Sequence, residues 1–390
     1  MPESPRDLDI VLLGATGFTG GLTAEYLARH APEGMRWALA GRNPGKLEVV
    51  RARLAEIDPS LSGLELIAAD AGDEASLAAL AARTKVVIST VGPYLEYGAP
   101  LVAACAAAGT DYVDLTGEPE FVDRMYLEHD ATARRTGARI VHACGFDSIP
   151  HDLGAFFTVQ QLPEGVPITL RGVVRSNASF SGGTFHSALG QFARARQMRE
   201  AMSDRRRREP RPEGRRSKAV SGKPGKDPVL GYYLLPLPTI DPFVVARSVA
   251  ALDRYGPDFR YSHYAGTKTL RYAAGGAVGA LGLAAVSQVK PVRELLGSRV
   301  DPGSGPDAAK RERSWFTVDF VGEGGGETVH TRVSGGDPGY TETAKMLAES
   351  AMCLALDDNP PTSGQVTPAA AMGENLLARL RAAGISFEVV

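Results

Sequence analysis

The sequence predicts an α/β fold in which a doubly wound parallel sheet carries helices on both faces. Short apolar runs alternate with helix-like segments from Ile10 to His142. Parallel strands need a crossover connection, and a helix between successive strands supplies it. The first run, Ile10–Leu13, is apolar without interruption, as in a strand buried on both faces. A glycine-rich turn follows directly and leads into the helix-like run Leu22–Arg29.

The remaining elements of this half follow in alternating order. We expect further strands at Arg36–Ala40, Leu64–Ala68, Val86–Ser89, Tyr112–Asp114 and Arg139–His142. We expect further helices at Lys46–Ile57, Glu74–Ala82, Gly98–Ala108 and Glu120–Thr136. In sheets of this type a ligand binds at the carboxyl ends of the strands, near the point where strand order reverses.

The first turn has the spacing Gly14-x-x-Gly17-x-x-Gly20. A strand that passes through glycines into a helix offers free backbone N–H groups and the positive end of a helix dipole, which together suit a pyrophosphate. The spacing departs by one position from the common G-x-G-x-x-G pattern, so a tight turn without a ligand stays open as an alternative. The predicted contacts are Gly14, Thr16, Gly17, Phe18, Thr19 and Gly20.

The end of the second strand indicates which dinucleotide binds. An NAD-binding domain would place an acidic residue there, whereas this chain has Arg42, followed by Asn43 and Lys46. A guanidinium pairs with a 2′-phosphate in a fork, and an acid would repel it. The sequence therefore favours NADP, with a solvated surface arginine as the alternative.

Two more strand ends complete the predicted cofactor contacts. Asp70 and Ala71 follow the third strand, where such folds contact the adenine, although Asp70 could equally cap the next helix. The fourth strand ends in Thr90, Val91, Gly92 and Pro93, and this segment is expected beside the nicotinamide ribose.

Composition limits the class of protein. A length of 390 residues allows two or three domains, and the 44% hydrophobic and 23% charged fractions are ordinary for a soluble globular protein. A net charge of -2 argues against nucleic acid as the main partner. The three cysteines lack C-x-x-C spacing, so neither a disulfide framework nor a metal site is predicted. With no signal peptide in the N-terminal residues, we expect a cytoplasmic protein.

Two segments of the second half stand out by composition. Residues 203–227 are rich in Arg, Lys, Pro and Gly, which predicts a disordered loop that is either solvated or binds anionic lipid headgroups or an acidic protein. Residues 272–289 carry no charge, but they are mostly Ala and Gly. They favour a helix that is buried or at a homodimer interface over one that rests on or spans a membrane.

Segments spread over most of the chain resemble one family. They are VISTVGPY (87–94), YVDLTGE (112–118), CGFDSIPHDLG (144–154), GGTFHSAL (182–189), DPFVVARS (241–248), YGPDFRY (255–261) and GGDPGYTETAKML (335–347). On these segments the chain resembles the saccharopine dehydrogenase-like oxidoreductases, and more closely the branch that holds the mycobacterial trans-acting enoyl reductases.

The resemblance implies an architecture and an activity. It implies an NADP-binding Rossmann domain over residues 1–150, a mixed α+β substrate domain over residues 151–335, and C-terminal helices over residues 336–390 that pack back on the first domain. It also implies an NADPH-dependent reductase acting on a CH–CH bond, in a setting such as glycolipid synthesis, with contact to the inner face of the plasma membrane as a further expectation. Because the conspicuous arginines lie in residues 203–227, an apolar, lipid-like substrate is favoured.

Four residues are candidates for catalysis. Hydride transfer needs a proton donor beside the cofactor, and Tyr94 follows the predicted nicotinamide segment. Asp147 and His151 lie in the loop after the last strand, where the inter-domain cleft opens, and His186 is a candidate on the substrate side. Two alternatives stay open: a saccharopine-reductase-like enzyme that forms a secondary amine, and a non-catalytic NADP-binding protein at a membrane surface.

Overall fold

The computed structural model describes residues 6–178, 189–190, 193–287, 291–292, 295 and 305–390. Its strands are β1 Leu8–Leu13, β2 Trp37–Gly41, β3 Glu65–Ala68, β4 Thr84–Ser89, β5 Asp111–Asp114, β6 Arg139–Val141, β7 Ile168–Ser176, β8 Arg216–Ala219, β9 Gly225–Lys226, β10 Tyr233–Pro236, β11 Asp258–Thr267, β12 Phe316–Gly324, β13 Glu327–Gly335, β14 Gly364–Val366 and β15 Ser386–Val389.

Helices alternate with the strands of the first half and flank those of the second. Those described are α1 Phe18–His30, α2 Pro44–Ile57, α3 Glu74–Arg83, α4 Tyr94–Tyr97, α5 Ala99–Ala108, α6 Pro119–Thr136, α7 Ile149–Val159, α8 Ala195–Arg208, α9 Asp241–Ala251, α10 Leu270–Ser287, α11 Ala308–Glu312, α12 Thr341–Leu356 and α13 Pro368–Ala382. Short 3₁₀ turns lie at Pro59–Gly63 and Asp253–Tyr255.

The first sheet confirms the predicted fold class. Its seven strands are all parallel and run in the order β14-β6-β5-β4-β1-β2-β3. The chain moves outward from β1 through β2 and β3, and then returns to place β4 on the other side of β1. Strand order therefore reverses between β1 and β4, which is where a doubly wound sheet opens a ligand crevice.

The second sheet is mixed, as the resemblance implied. Its main path runs β15-β13-β12-β7-β11-β10-β9, and β8 pairs with β11. Strands β12 and β13 form a hairpin, in which Gly324 pairs with Glu327 across the two-residue turn Gly325-Gly326. Both turn glycines have positive φ, 62° and 85°, which is what a tight hairpin turn of this twist requires.

The C-terminal segment takes part in both sheets. Strand β14 extends the parallel sheet beside β6, whereas β15 pairs with β13 at the edge of the mixed sheet. Helix α12 packs on α1, where the Tyr26 hydroxyl donates a 2.7 Å hydrogen bond to Glu349. The Asp152 carboxyl on α7 accepts hydrogen bonds from Ser248 on α9, at 2.5 Å, and from the backbone of Ala369 on α13, at 2.8 Å.

The prediction of disorder for residues 203–227 is wrong for the helical and strand parts of that segment. Helix α8 continues to Arg208, and β8 and β9 follow. Arg205 is buried because two carboxylates lie close to its guanidinium: Asp123 of α6 is 3.2 Å away, and Glu209, directly after α8, is 2.7 Å away. The ring of Tyr126 packs under the guanidinium. Composition alone did not reveal these partners.

The apolar segment forms most of α10, and residues 288–289 lie outside the described part of the chain. Leu270 and Tyr272, at its start, are 63% and 68% exposed, so this end of the helix is not buried in the core. Among the described residues, no helix combines the length and apolar character that a membrane crossing requires.

Replacing Gly154 by alanine is expected to destabilise the protein. Gly154 lies where α7 packs on the mixed sheet, and a Cβ there would lie 2.3 Å from the Phe320 ring and 2.9 Å from Val333. Overpacking of this kind costs about 1 to 3 kcal/mol, which denaturant unfolding would measure. Gly275→Ala on α10 is the control, because a Cβ there meets nothing within 4 Å. Equal stability of the two variants would contradict the packing described for α7.

Candidate active site

The glycine turn between β1 and α1 is shaped for a close approach of backbone to ligand. Gly14 has a φ of 96°, and a Cβ on it would lie 2.5 Å from Thr90 Oγ1. A Cβ on Gly20 would lie 2.2 Å from the Gly14 carbonyl oxygen, so α1 can begin this close to the strand only with glycine. A Cβ on Gly17 would meet only that same carbonyl oxygen, at 3.4 Å, which leaves its outer side open.

The start of α1 is open to an anion. Gly17 is the N-cap residue, and no side chain caps the helix. The first backbone N–H groups of a helix have no partner within it, and they carry the positive end of its dipole. Thr16 and Gly17 are exposed, and Phe18 and Thr19 are partly exposed. The turn therefore fits the pyrophosphate of a dinucleotide.

Arg42 and Lys46 are exposed where β2 leads into α2. No carboxylate among the described residues pairs with the Arg42 guanidinium. Asn43 caps α2, since its side-chain oxygen accepts from the Lys46 backbone at 3.0 Å. The edge of the crevice next to the glycine turn thus presents two cations to a 2′-phosphate.

Asp70 and Ala71 lie at the end of β3, and the structure separates the two alternatives considered for Asp70. Helix α3 is capped by Asp73, not by Asp70. Asp70 instead accepts a 2.9 Å hydrogen bond from the Gly72 backbone and remains exposed at the crevice edge. At the end of β4, Thr90 and Val91 are partly exposed and Gly92 and Pro93 are exposed. Thr90 is fixed to β1 by a 3.2 Å hydrogen bond to Leu13.

The structure does not favour Tyr94 as the proton donor. Its side chain is buried, and its hydroxyl donates to the Ser89 carbonyl at 2.9 Å. Burial, and then the charge of Asp114, raise the pKa of this phenol well above its ordinary value. The backbone N–H groups of Tyr94 and Leu95 donate to Glu118, which holds this loop against the next one. Tyr94 therefore forms part of the wall beneath the crevice.

Asp147 and His151 come together with two residues that the sequence analysis did not identify. Helix α9 contributes Asp241, whose Oδ1 lies 3.1 Å from His151 Nδ1. Strand β11 contributes His263, whose Nε2 lies 3.5 Å from Asp241 Oδ2 and whose Nδ1 lies 3.0 Å from the Tyr261 hydroxyl. Asp147 is partly exposed and lies against Gly117, on the loop after β5, whereas the other three are buried.

The four titratable groups lie close enough to shift one another's pKa, and Asp147 is the one that is partly exposed. Burial, then the charge of Asp241, raise the pKa of Asp147 to about 7. Burial opposes charge on His151, but the adjacent Asp241 outweighs it and raises the His151 pKa above its ordinary value. Burial lowers the pKa of His263 to about 3. The pairing with Asp241 thus favours the charged form of His151, whereas His263 is neutral at neutral pH and Asp147 is poised to hold or release a proton.

The buried residues also have the composition of a metal-ligand set. The candidate ligand atoms of His151, Asp241 and His263 all lie within 4.8 Å of one another. The sequence analysis predicted no metal site because it considered only cysteine spacing. The remaining sequence candidate, His186, lies outside the described residues.

The arrangement can support transfer of a hydride and a proton. A bound nicotinamide would supply the hydride, and the chain has only to hold the acceptor carbon against it. Asp147 supplies a proton-carrying group at the crevice because its loop follows β6, at the same edge of the sheet as the Thr90–Pro93 segment. Both ring nitrogens of His151 are buried without an aligned hydrogen-bond partner among the described residues, and Asp241 is the main group that favours its charged form.

Comparison with known proteins agrees with this geometry. The family model of the saccharopine dehydrogenase NADP binding domain matches residues 10–141. The structure also resembles a saccharopine dehydrogenase (L-Glu forming) from Saccharomyces cerevisiae, with a TM-score of 0.54 and 14% identity over 98% of this chain and 100% of that one, a likeness of fold alone. The matched domain and the crevice define an NADP-dependent oxidoreductase.

Full-length relatives narrow the class further. A Mycobacterium tuberculosis protein provisionally named as a trans-acting enoyl reductase is 41% identical over 421 residues, covering 100% of this chain and 99% of the relative. The trans-acting enoyl reductase of Mycobacterium bovis is 38% identical over 418 residues, covering 99% and 98%. The chain therefore belongs to the trans-acting enoyl reductase family.

Replacing Asp241 by asparagine is expected to lower the pKa of His151. The carboxylate is the charge that offsets burial of the imidazolium, and a neighbouring opposite charge is worth about 1 to 3 pH units. An NMR titration of the histidine ring signals would measure the change. Asp253→Asn is the control, since this side chain is 96% exposed and pairs only with Arg215 among the described residues. An unchanged His151 pKa in Asp241→Asn would contradict the assigned pairing.

Proposed function

We propose that the protein is an NADPH-dependent enoyl reductase that reduces the activated C=C bond of a lipid or polyketide intermediate. The observation that carries the proposal is the Asp147–His151–Asp241 cluster at the carboxyl edge of the parallel sheet. It provides a proton donor with a pKa of about 7 beside the cofactor crevice. The names of the full-length relatives support the enoyl substrate class.

The proposed reaction consumes one hydride and one proton. A dinucleotide held by the Gly14–Gly20 turn and Arg42 would supply the hydride for the β-carbon of the enoyl group and would itself be oxidised. The protonated Asp147 carboxyl delivers its proton to the α-carbon, where negative charge develops, and becomes a carboxylate. The His151 imidazolium, held by Asp241, lies behind Asp147 and stabilises that carboxylate. Solvent reprotonates Asp147 at its exposed side, so atoms and charge balance over one turnover.

The local composition favours a substrate with few charges. The partners of Arg171 and Arg175, the described arginines of the central strand β7, are Asp227, Glu323 and the aromatic rings of Tyr232 and Trp315. The Arg171 guanidinium is therefore paired with carboxylates within the protein, and the Arg175 guanidinium stacks on two aromatic rings. A substrate with several carboxylates, as in amine-forming saccharopine chemistry, would need arginines that are free to pair with it.

Turnover with enoyl thioesters is expected to depend on Asp147. NADPH oxidation should be seen with trans-2-enoyl-CoA substrates and not with lysine plus an aldehyde. Asp147→Asn should lower kcat by about 10²- to 10⁴-fold, the usual contribution of a positioned acid, with NADPH affinity unchanged. Asp253→Asn is again the control. Turnover with the amine-forming substrates alone would overturn the proposal.

The direction in which kcat/KM changes with pH follows from the role of Asp147. The acid form of Asp147 is the active one, so kcat/KM should fall as pH rises through about 7. The fall should be absent from the residual activity of Asp147→Asn. A wild-type profile that instead rises through this range would show that the group acts as a base.

Removal of metal ions is expected to leave the activity unchanged. A His151 imidazolium paired with Asp241 has no ring-nitrogen lone pair to offer a metal ion. Dialysis against EDTA followed by elemental analysis and assay would measure this. A stoichiometric metal whose loss abolishes activity would contradict the proton-holding role of the cluster.

A further inference from the structure

We infer that Arg311 binds the pyrophosphate of the cofactor, on the side facing away from β1. Arg311 belongs to α11, which precedes β12 of the mixed sheet, yet it lies at the phosphate turn of the parallel sheet. Its guanidinium carbon lies 5.5 Å from the centroid of the Phe18 ring, and Phe18 is the first residue of α1. The inference rests on NADP binding by the family and not on the proposed enoyl substrate.

The Phe18 ring is enclosed by residues from the second half of the chain. Tyr340 contacts it edge-on, with ring centroids 4.9 Å apart. The backbone at Gly305 lies so close that a Cβ there would be 2.3 Å from the ring. These contacts fix the segment that carries Arg311 over the beginning of α1.

Arg311 carries a charge that the described part of the chain does not neutralise. One terminal nitrogen donates to the Pro306 carbonyl at 2.7 Å, but Nε is buried without a hydrogen-bond partner among the described residues. No described carboxylate lies within ion-pair distance of the guanidinium. Two arginines of the same half, by contrast, pair with carboxylates: Arg379 binds Asp357 at 2.6 Å and Glu349 at 3.2 Å, and Arg332 binds Asp319 at 2.8 Å.

An unpaired Arg311 guanidinium beside the start of α1 is electrostatically unfavourable unless an anion binds there. The start of α1 already carries the positive end of a helix dipole, with no side-chain cap. A second positive group beside it raises the electrostatic energy of the empty protein. A pyrophosphate between the turn and Arg311 would pair with both, and a guanidinium matches phosphate oxygens in a two-bond fork.

Arg311 and Arg42 would then have separable tasks. Arg42 faces the 2′-phosphate, which NADPH has and NADH lacks. Arg311 faces the pyrophosphate, which both dinucleotides have. Loss of Arg311 should therefore weaken both cofactors alike, whereas loss of Arg42 should weaken NADPH alone.

A fluorescence titration of NADPH and NADH with the full-length protein tests this assignment. Arg311→Ala should raise Kd about 10- to 100-fold for both cofactors and leave their ratio unchanged. It should also reduce the salt dependence of binding, because one charge contact is lost. Lys310→Ala, an exposed neighbour on the same helix, is the matched control and should bind as wild type. Arg42→Ala should shift the ratio toward NADH.

Two results would overturn the inference. One is wild-type affinity for both cofactors in Arg311→Ala. The other is a loss of affinity accompanied by a lower melting temperature of the cofactor-free variant, which would assign Arg311 a purely structural role. Because only binding is measured, the outcome does not depend on whether enoyl thioesters are the substrates.

Discussion

The constraint on which this structure depends is that its C-terminal segment belongs to both sheets. Strand β14, which follows α12, lies at the edge of the parallel sheet, and β15 lies at the edge of the mixed one, with α13 between the two strands. The buried Asp152 carboxyl joins α7, α9 and the start of α13, so helices from both halves share one polar centre. Thr343 on α12 accepts from the backbone of Phe146 at 3.0 Å and fixes the loop after β6. The crevice thus has its shape before any ligand enters.

The packing of the C-terminal segment against both sheets explains how charged groups can be buried at the site. Asp241 sits at the first turn of α9, and it meets His151 from α7 and His263 from β11. Three elements must be held in register for these groups to offset one another, since a lone buried charge would shift its pKa and neutralise. The same packing brings α11 of the second half to the phosphate turn of the first. In our proposals, cofactor binding and proton transfer therefore both use residues from the two halves.

Six of the seven strands of the parallel sheet were predictable from sequence because they are encoded locally, whereas β14, which comes from the C-terminal segment, was not predicted. Ile10–Leu13, the glycine turn and Arg42 act through periodicity, backbone freedom and charge, which are visible in short segments. Asp241 and His263 could not be paired with His151 from the sequence, because 90 and 112 residues separate them from it. The burial of Arg205 could not be predicted for the same reason, since its partner Asp123 lies on another helix. Tyr94 follows the expected strand end, but its hydroxyl turns inward to Ser89.

In the proposed mechanism, the loop after β6 places Asp147 across from the reacting face of the nicotinamide. A crystal structure of the complex with NADP⁺ tests it most directly, through the distance from the nicotinamide C4 atom to the Asp147 carboxyl. We expect the nicotinamide C4 atom to lie within about 7 Å of the Asp147 carboxyl, a distance that leaves room for the two carbons of the acceptor double bond between them. A nicotinamide ring that binds with C4 turned away from Asp147, and toward solvent or Tyr94, would contradict it.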